Sequence, residues 1–126
     1  AERRANPIPW IVVPGNHDRG LAALAGAWRF DLAPAELPLA PGLLVTHTPT
    51  ARPNAHVIAG HEHPAVTLRR GGDAIKLPAF VVAPAVTILP AFTRFAAGGR
   101  SPWPQAARLF ACAPDAVFEV PAAHAR

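Results

Sequence analysis

Val13-Pro14-Gly15-Asn16-His17-Asp18 and Gly60-His61-Glu62-His63-Pro64 decide how this chain is read. The apolar run from Trp10 to Val13 leads into the first block. A shorter run, Val57 to Ala59, leads into the second. A third run, Leu43-Leu44-Val45, ends in Thr46-His47. Each pattern predicts a short strand running out into a loop. Polar side chains beside glycine at the ends of buried strands are where an α/β protein builds its sites. His17, His47, His61 and His63 all fall at such ends, more than composition alone would scatter there.

The 126 residues bound the chain to one domain or a piece of one. It opens on Ala1 and contains no Met, so it is read as lacking its natural N-terminus. Sixteen prolines and nine glycines predict many turns and short elements. The net charge of +4 comes almost wholly from arginine; it permits an anionic partner without requiring one. Arg3-Arg4 and Arg69-Arg70 read as solvated charge. Cys112 is the only cysteine, which excludes a disulfide framework and a cysteine metal site and suits a reducing cytoplasm. The uncharged stretch Leu77 to Thr93 is interrupted by Pro78, Pro84 and Pro90. A membrane span needs about 20 apolar residues, so no membrane association is expected.

Trp10 to Val13 is expected as a short buried strand and Leu21 to Trp28 as a helix. Asp31 to Pro41, with three prolines, is expected as loop or edge. Strands follow at Leu43 to Val45, His56 to Ala59 and Val66 to Arg69, with a turn at Gly71-Gly72-Asp73. Leu77-Pro78-Ala79-Phe80 recurs as Leu89-Pro90-Ala91-Phe92. The β-branched segment between them, Val81 to Ile88, predicts a hairpin about Ala83-Pro84-Ala85. Ala97-Gly98-Gly99-Arg100 is expected as a loop, Pro104 to Ala111 as a short helix, and Ala116 to Val120 as a last strand. His56 and His124 read as surface or tail residues. Trp103, between two prolines, reads as a packing anchor.

Imidazole suits borderline divalent metals, and the Asn carboxamide oxygen suits harder ones such as Mn2+. In a loop following the strand, His61 and His63 can both turn to one centre or to two adjacent ones. Glu62 between them would then point away. Gly15 permits close backbone approach. His17 followed by Asp18 suggests an imidazole oriented or charged by a carboxylate, as a general acid requires.

The ordered set Gly-Asn-His-Asp (15–18), a histidine at a strand end (47) and Gly-His-x-His (60–63) resembles the calcineurin-like metallophosphoesterase family. The resemblance runs from Trp10 to about Gly99. Gly-His-Glu-His-Pro, the paired Leu-Pro-Ala-Phe segments and Ala-Gly-Gly look like the ligase-associated DNA damage response subgroup (PdeM-like phosphodiesterases and endonucleases). The resemblance implies an α/β fold, a mixed β-sandwich flanked by helices and incomplete at its N-terminus, with residues 1–126 forming the C-terminal part of one domain. It implies two divalent metal ions, Mn2+ foremost, with Fe or Zn as alternatives. Asn16, His47 and His61 would hold one ion and His63 would contribute to the other. His17 would contact the phosphate and protonate the leaving oxygen, with Asp18 orienting it. Apart from the resemblance, Arg19 beside the first block is read either as a phosphate contact or as solvated charge, and Arg52, in a proline loop near His47, either as facing an anionic substrate or as ordinary loop charge. The implied partners are a phosphodiester, including DNA, and a DNA ligase system, with homo-oligomerisation compatible.

The family pattern begins with Asp-x-His and Gly-Asp, and neither precedes Gly15 here. Those motifs supply two carboxylates, one bridging both metals. Four largely neutral ligands are a poor match to two dications. Two further readings therefore stand beside the phosphoesterase: a non-catalytic metal- or partner-binding scaffold, and a nucleotide or dinucleotide polyphosphate hydrolase of the same family.

Overall fold

A computed structural model describes residues 8–93, 98, 102–104 and 106–121. Ten strands and one helix form: β1 (Ile11–Val12), α1 (Leu21–Trp28), β2 (Asp31–Leu32), β3 (Glu36–Ala40), β4 (Leu43–Thr46), β5 (His56–Ala59), β6 (Ala65–Arg70), β7 (Asp73–Val82), β8 (Val86–Ile88), β9 (Arg108–Cys112) and β10 (Val117–Val120). The sheet-rich α/β class expected from the sequence is the one that forms. Among the described residues α1 is its one helix.

The main sheet has eight strands in the order β10-β9-β7-β8-β5-β4-β3, with β6 pairing onto β7. It is mixed. β4, β5 and β8 run parallel, in register Thr46 to Ala59 and Ala59 to Ile88. β3 and β7 close on this parallel group antiparallel. β5 lies at its centre, with Val57 and Ala59 almost fully buried. Parallel strands buried on both faces favour such continuous β-branched runs. Val66, Ala79, Val81, Ile88, Leu109 and Ala111 complete most of the core.

β7 is long because it serves two pairings. Asp73 to Pro78 pair with β6, and Ala79 to Val82 pair with β8 and β9. Between β7 and β8 the expected hairpin closes through reciprocal Ala83 and Val86 backbone bonds. β3 is a sheet edge, where Pro38 removes no needed ladder donor.

Three expectations are corrected. Pro104 to Ala111 contains no described helix; Arg108–Cys112 is a strand. Its alternate residues Leu109 and Ala111 are buried, and it pairs on both sides, with β7 and β10, so tertiary pairing overrides alanine's helix preference. Trp10 to Val13 is not a buried strand. β1 pairs only with β2, and Trp10 and Ile11 are about half exposed. α1 likewise buries no residue, and Leu24 and Trp28 face solvent. His56 is not plain surface, because its Nε2 lies 2.8 Å from Thr87 Oγ1, tying β5 to β8. Trp103 does pack against the core as expected. Of the Ala97 to Arg100 loop only Gly98 is described, and His124 lies outside the described residues.

Val57→Ala is expected to cost about 2–3 kcal/mol of unfolding free energy, through lost burial and the cavity left behind. Ile75→Ala, at an exposed β7 position, should change stability by less than about 0.5 kcal/mol. Urea denaturation of both variants checks the contrast.

Candidate metal centre

The register of β4 and β5 sets the site. Thr46 and Ala59 are aligned neighbours at the carboxyl ends of parallel strands, so the residues that follow leave the sheet side by side. Ligands of open α/β sheets bind at such ends. His47 follows Thr46 directly, and His61 follows Ala59 by two. Their rings meet edge to face, with centroids 4.7 Å apart and His61 Nδ1 2.9 Å from His47 Nε2. Asn16, in the loop after β1, brings its Oδ1 to 2.9 Å from the same His47 Nε2.

Two polar partners thus crowd one ring nitrogen. A neutral imidazole Nε2 has either one hydrogen or one lone pair, so it cannot satisfy both fully. Ligand atoms about 2.1 Å from a metal and at right angles stand about 3 Å apart, which matches these spacings. The donor chemistry fits one borderline divalent cation. Among the described residues no three His, Cys, Asp or Glu side chains gather at metal-holding spacing, so the third donor of this set is the Asn16 amide.

The loop geometry is enforced locally. A Cβ on Gly15 would lie 2.4–2.8 Å from the His47 ring atoms, so the ring rests directly on glycine backbone. Asp18 Oδ2 accepts the Gly15 N–H at 2.7 Å, while Gly15 O accepts the Asp18 N–H at 3.2 Å. The carboxylate therefore braces this turn instead of orienting the His17 ring, which corrects the role expected for Asp18. The contact of His17 is with Asn16, whose Nδ2 lies 3.3 Å from His17 Nε2. One amide thus links the candidate ligand His47 to the candidate acid His17.

Across the site, His61 and His63 both have left-handed backbone, with φ of 67° and 48°. Such φ is uncommon outside glycine and costs on the order of 1–2 kcal/mol per residue. Neither residue lies in a strand, so the strict side-to-side alternation does not apply to them. Glu62 between them donates its N–H to Gly60 O at 2.8 Å. His17, Asp18 and His63 all stand near enough to act electrostatically on His47. Burial lowers the His47 pKa below the ordinary imidazole value; the His61 ring lowers it further, and Asp18 opposes. A neutral imidazole is the form that ligates metal.

Arg52 is corrected. Its Nε donates to Glu36 Oε1 at 2.7 Å, and its Nη1 reaches the Thr50 and Ala51 carbonyls. These contacts staple the β4–β5 loop to β3, so the guanidinium is engaged within the fold. Arg19 is exposed in the turn before α1. Sequence reasoning missed the cavity beside His63. It has about 530 Å³ and is walled by β6, β7 and the β9–β10 turn. Its lining residues come from separate segments, so no single stretch of sequence announces it.

No protein-family model matches the chain, and no curated protein sequence matches it. Among solved structures the chain is similar to the crystal structure of Pseudomonas putida nuclease MPE, with a TM-score of 0.76 and 29% identity. The match covers 93% of this chain and 56% of that one. The chain thus spans little more than half the length of that nuclease. Among the described residues no helix is long and apolar enough to cross a membrane.

Gly15→Ala is expected to push the His47 ring off the Asn16 and His61 contacts while leaving the sheet folded. Ring-to-ring nuclear Overhauser contacts between His47 and His61 should disappear, with the strand amide shifts retained.

Proposed function

We propose that this chain belongs to a metal-dependent phosphoesterase that hydrolyses phosphodiesters, with DNA as the substrate class. The observation that carries the reading is the meeting of Asn16 Oδ1, His47 Nε2 and His61 Nδ1 from three strand ends. It occurs on a backbone similar to that of a nuclease. Asn16, His47 and His61 would hold one divalent ion, Mn2+ in the first instance with Fe or Zn as alternatives. His63 would contribute to a second. Bound there, such ions supply Lewis-acid polarisation of the phosphoryl group and a water made nucleophilic near neutral pH. The left-handed backbone at His61 and His63 is the kind of local strain that accumulates at functional sites.

In this reading His17 delivers the proton to the leaving oxygen. Its Nε2 lies 3.3 Å from Asn16 Nδ2. The DNA substrate, and a functional association with a DNA ligase system, follow from the subgroup resemblance and belong to this same reading.

Three observations favour the scaffold alternative. The three converging donors carry no carboxylate, Asp18 braces its own turn, and Arg52 is paired with Glu36. Neutral donors compensate a dication poorly.

Mn2+-dependent cleavage of single-stranded DNA and of a chromogenic phosphodiester by the gene-encoded protein decides between them. Metal binding without turnover in that protein supports the scaffold. In the active protein His17→Ala should lower turnover about 10²–10⁴-fold, the usual contribution of a general acid, with bound metal unchanged. Kinetics beside elemental analysis checks this, and loss of metal would recast His17 as a ligand.

A further inference from the structure

The loop after β1 contains a reciprocal pair of hydrogen bonds. The Gly15 N–H donates to Asp18 Oδ2 at 2.7 Å, and the Asp18 N–H donates to Gly15 O at 3.2 Å. The second bond closes a four-residue turn whose two central residues are Asn16 and His17. The first uses a carboxylate oxygen, and such charge-assisted bonds are the stronger kind. The main-chain carbonyl of Asp18 is engaged as well. It accepts the Leu21 N–H at 3.1 Å, which joins the turn to the first residue of α1. That helix has no side-chain cap of its own.

Three side chains of the candidate centre depend on this turn. Asn16 leaves it toward His47, with Oδ1 2.9 Å from His47 Nε2. His17 leaves it from the next position and makes its polar contact with Asn16 Nδ2 at 3.3 Å. Gly15, the first residue of the turn, is the surface on which the His47 ring rests, since a Cβ there would lie 2.4–2.8 Å from the ring atoms. Moving Gly15 therefore moves the support of that ring. Among the described residues no hydrogen bond joins Asp18 to His17, His47, His61 or His63. Asp18 reaches them through the backbone it holds, apart from its charge acting on His47 through space.

We propose that Asp18 is a positioning residue for the candidate metal centre, acting through its hydrogen bond to the Gly15 N–H and not through its charge. The proposal rests on the metal-dependent reading of the Asn16, His47 and His61 cluster. The bond holds Gly15 under the His47 ring and presents Asn16 and His17 from one closed turn. What the brace requires is an acceptor where Oδ2 stands. An amide oxygen supplies that acceptor and a methyl group does not. A carboxylate working by charge, whether on a protonated His17 or on a cation, would be replaced by neither. Asp18 is exposed, so neither substitution disturbs the core.

The test compares Asp18→Ala and Asp18→Asn in the gene-encoded protein. In the alanine variant the Gly15 amide should exchange faster with solvent, and nuclear Overhauser contacts between the His47 and His61 rings should be lost, with strand amide shifts retained. Its Mn2+ affinity, measured by titration calorimetry, should fall roughly ten- to hundredfold, as is usual when a group that holds a metal ligand in place is removed. The asparagine variant should keep the ring contacts and bind Mn2+ with an affinity nearer to that of the parent than to that of the alanine variant. An asparagine variant as weak as the alanine one would assign the effect to charge and overturn the proposal. An alanine variant with parental ring contacts and parental affinity would overturn it too. Failure of the parent protein to bind Mn2+ would sink the metal-dependent reading, while the Gly15 amide and the ring contacts still decide whether Asp18 positions His47.

Discussion

The structure depends on β5 being held between two parallel neighbours. Val57 and Ala59 are buried there, and β4 and β8 run alongside in fixed register. A one-residue slip would turn the buried side chains of β5 to the opposite face, so core burial fixes the register strongly. That same register delivers His47 and His61 to one place. Packing and chemistry therefore share one determinant: the alignment of Thr46 with Ala59. Around it the fold adds fastenings. His56 ties β5 to β8, Arg52 ties the crossover loop to β3, and Arg108 pairs with Glu119 across the last hairpin.

Much of this was legible in the residues. The runs ending at Val45 and Ala59 are short, β-branched or leucine-rich, and each is followed by one residue and then histidine, so strand ends and candidate donors could be read together. The helix at Leu21 to Trp28 and the turn at Ala83-Pro84-Ala85 follow from local preference and match the structure. Arg108–Cys112 was not legible as a strand. Its residues have mixed preferences, and two partners far along the sequence decide its state. The exposure of β1 was also hidden, because an apolar run reports what a segment can bury and not whether a covering surface stands over it.

For the site, residue identities were readable and side-chain partners were not. Asp18 next to His17 in sequence suggests a carboxylate–imidazole pair, yet a tight turn offers the carboxylate a nearer backbone N–H at Gly15. Arg52 looked available for an anion until β3 brought Glu36 against it, sixteen residues away. In both cases a short hydrogen bond to a partner already in place outcompetes a function that sequence adjacency suggests. The His61 and His63 conformations could not be foreseen either, since φ above zero is the exception for histidine.

The contact of the His47 ring with Gly15 carries a dynamic consequence. A ring lying on backbone, with partners at one nitrogen, has little room to rotate about its Cβ–Cγ bond. These contacts restrict its rotation in the folded chain. Under the proposed metal-binding reading, an incoming ion would meet a donor whose direction is set in advance, and the entropic penalty of association at this ligand would be small. The main chain at a position without a side chain thus acts as a bearing surface for the imidazole.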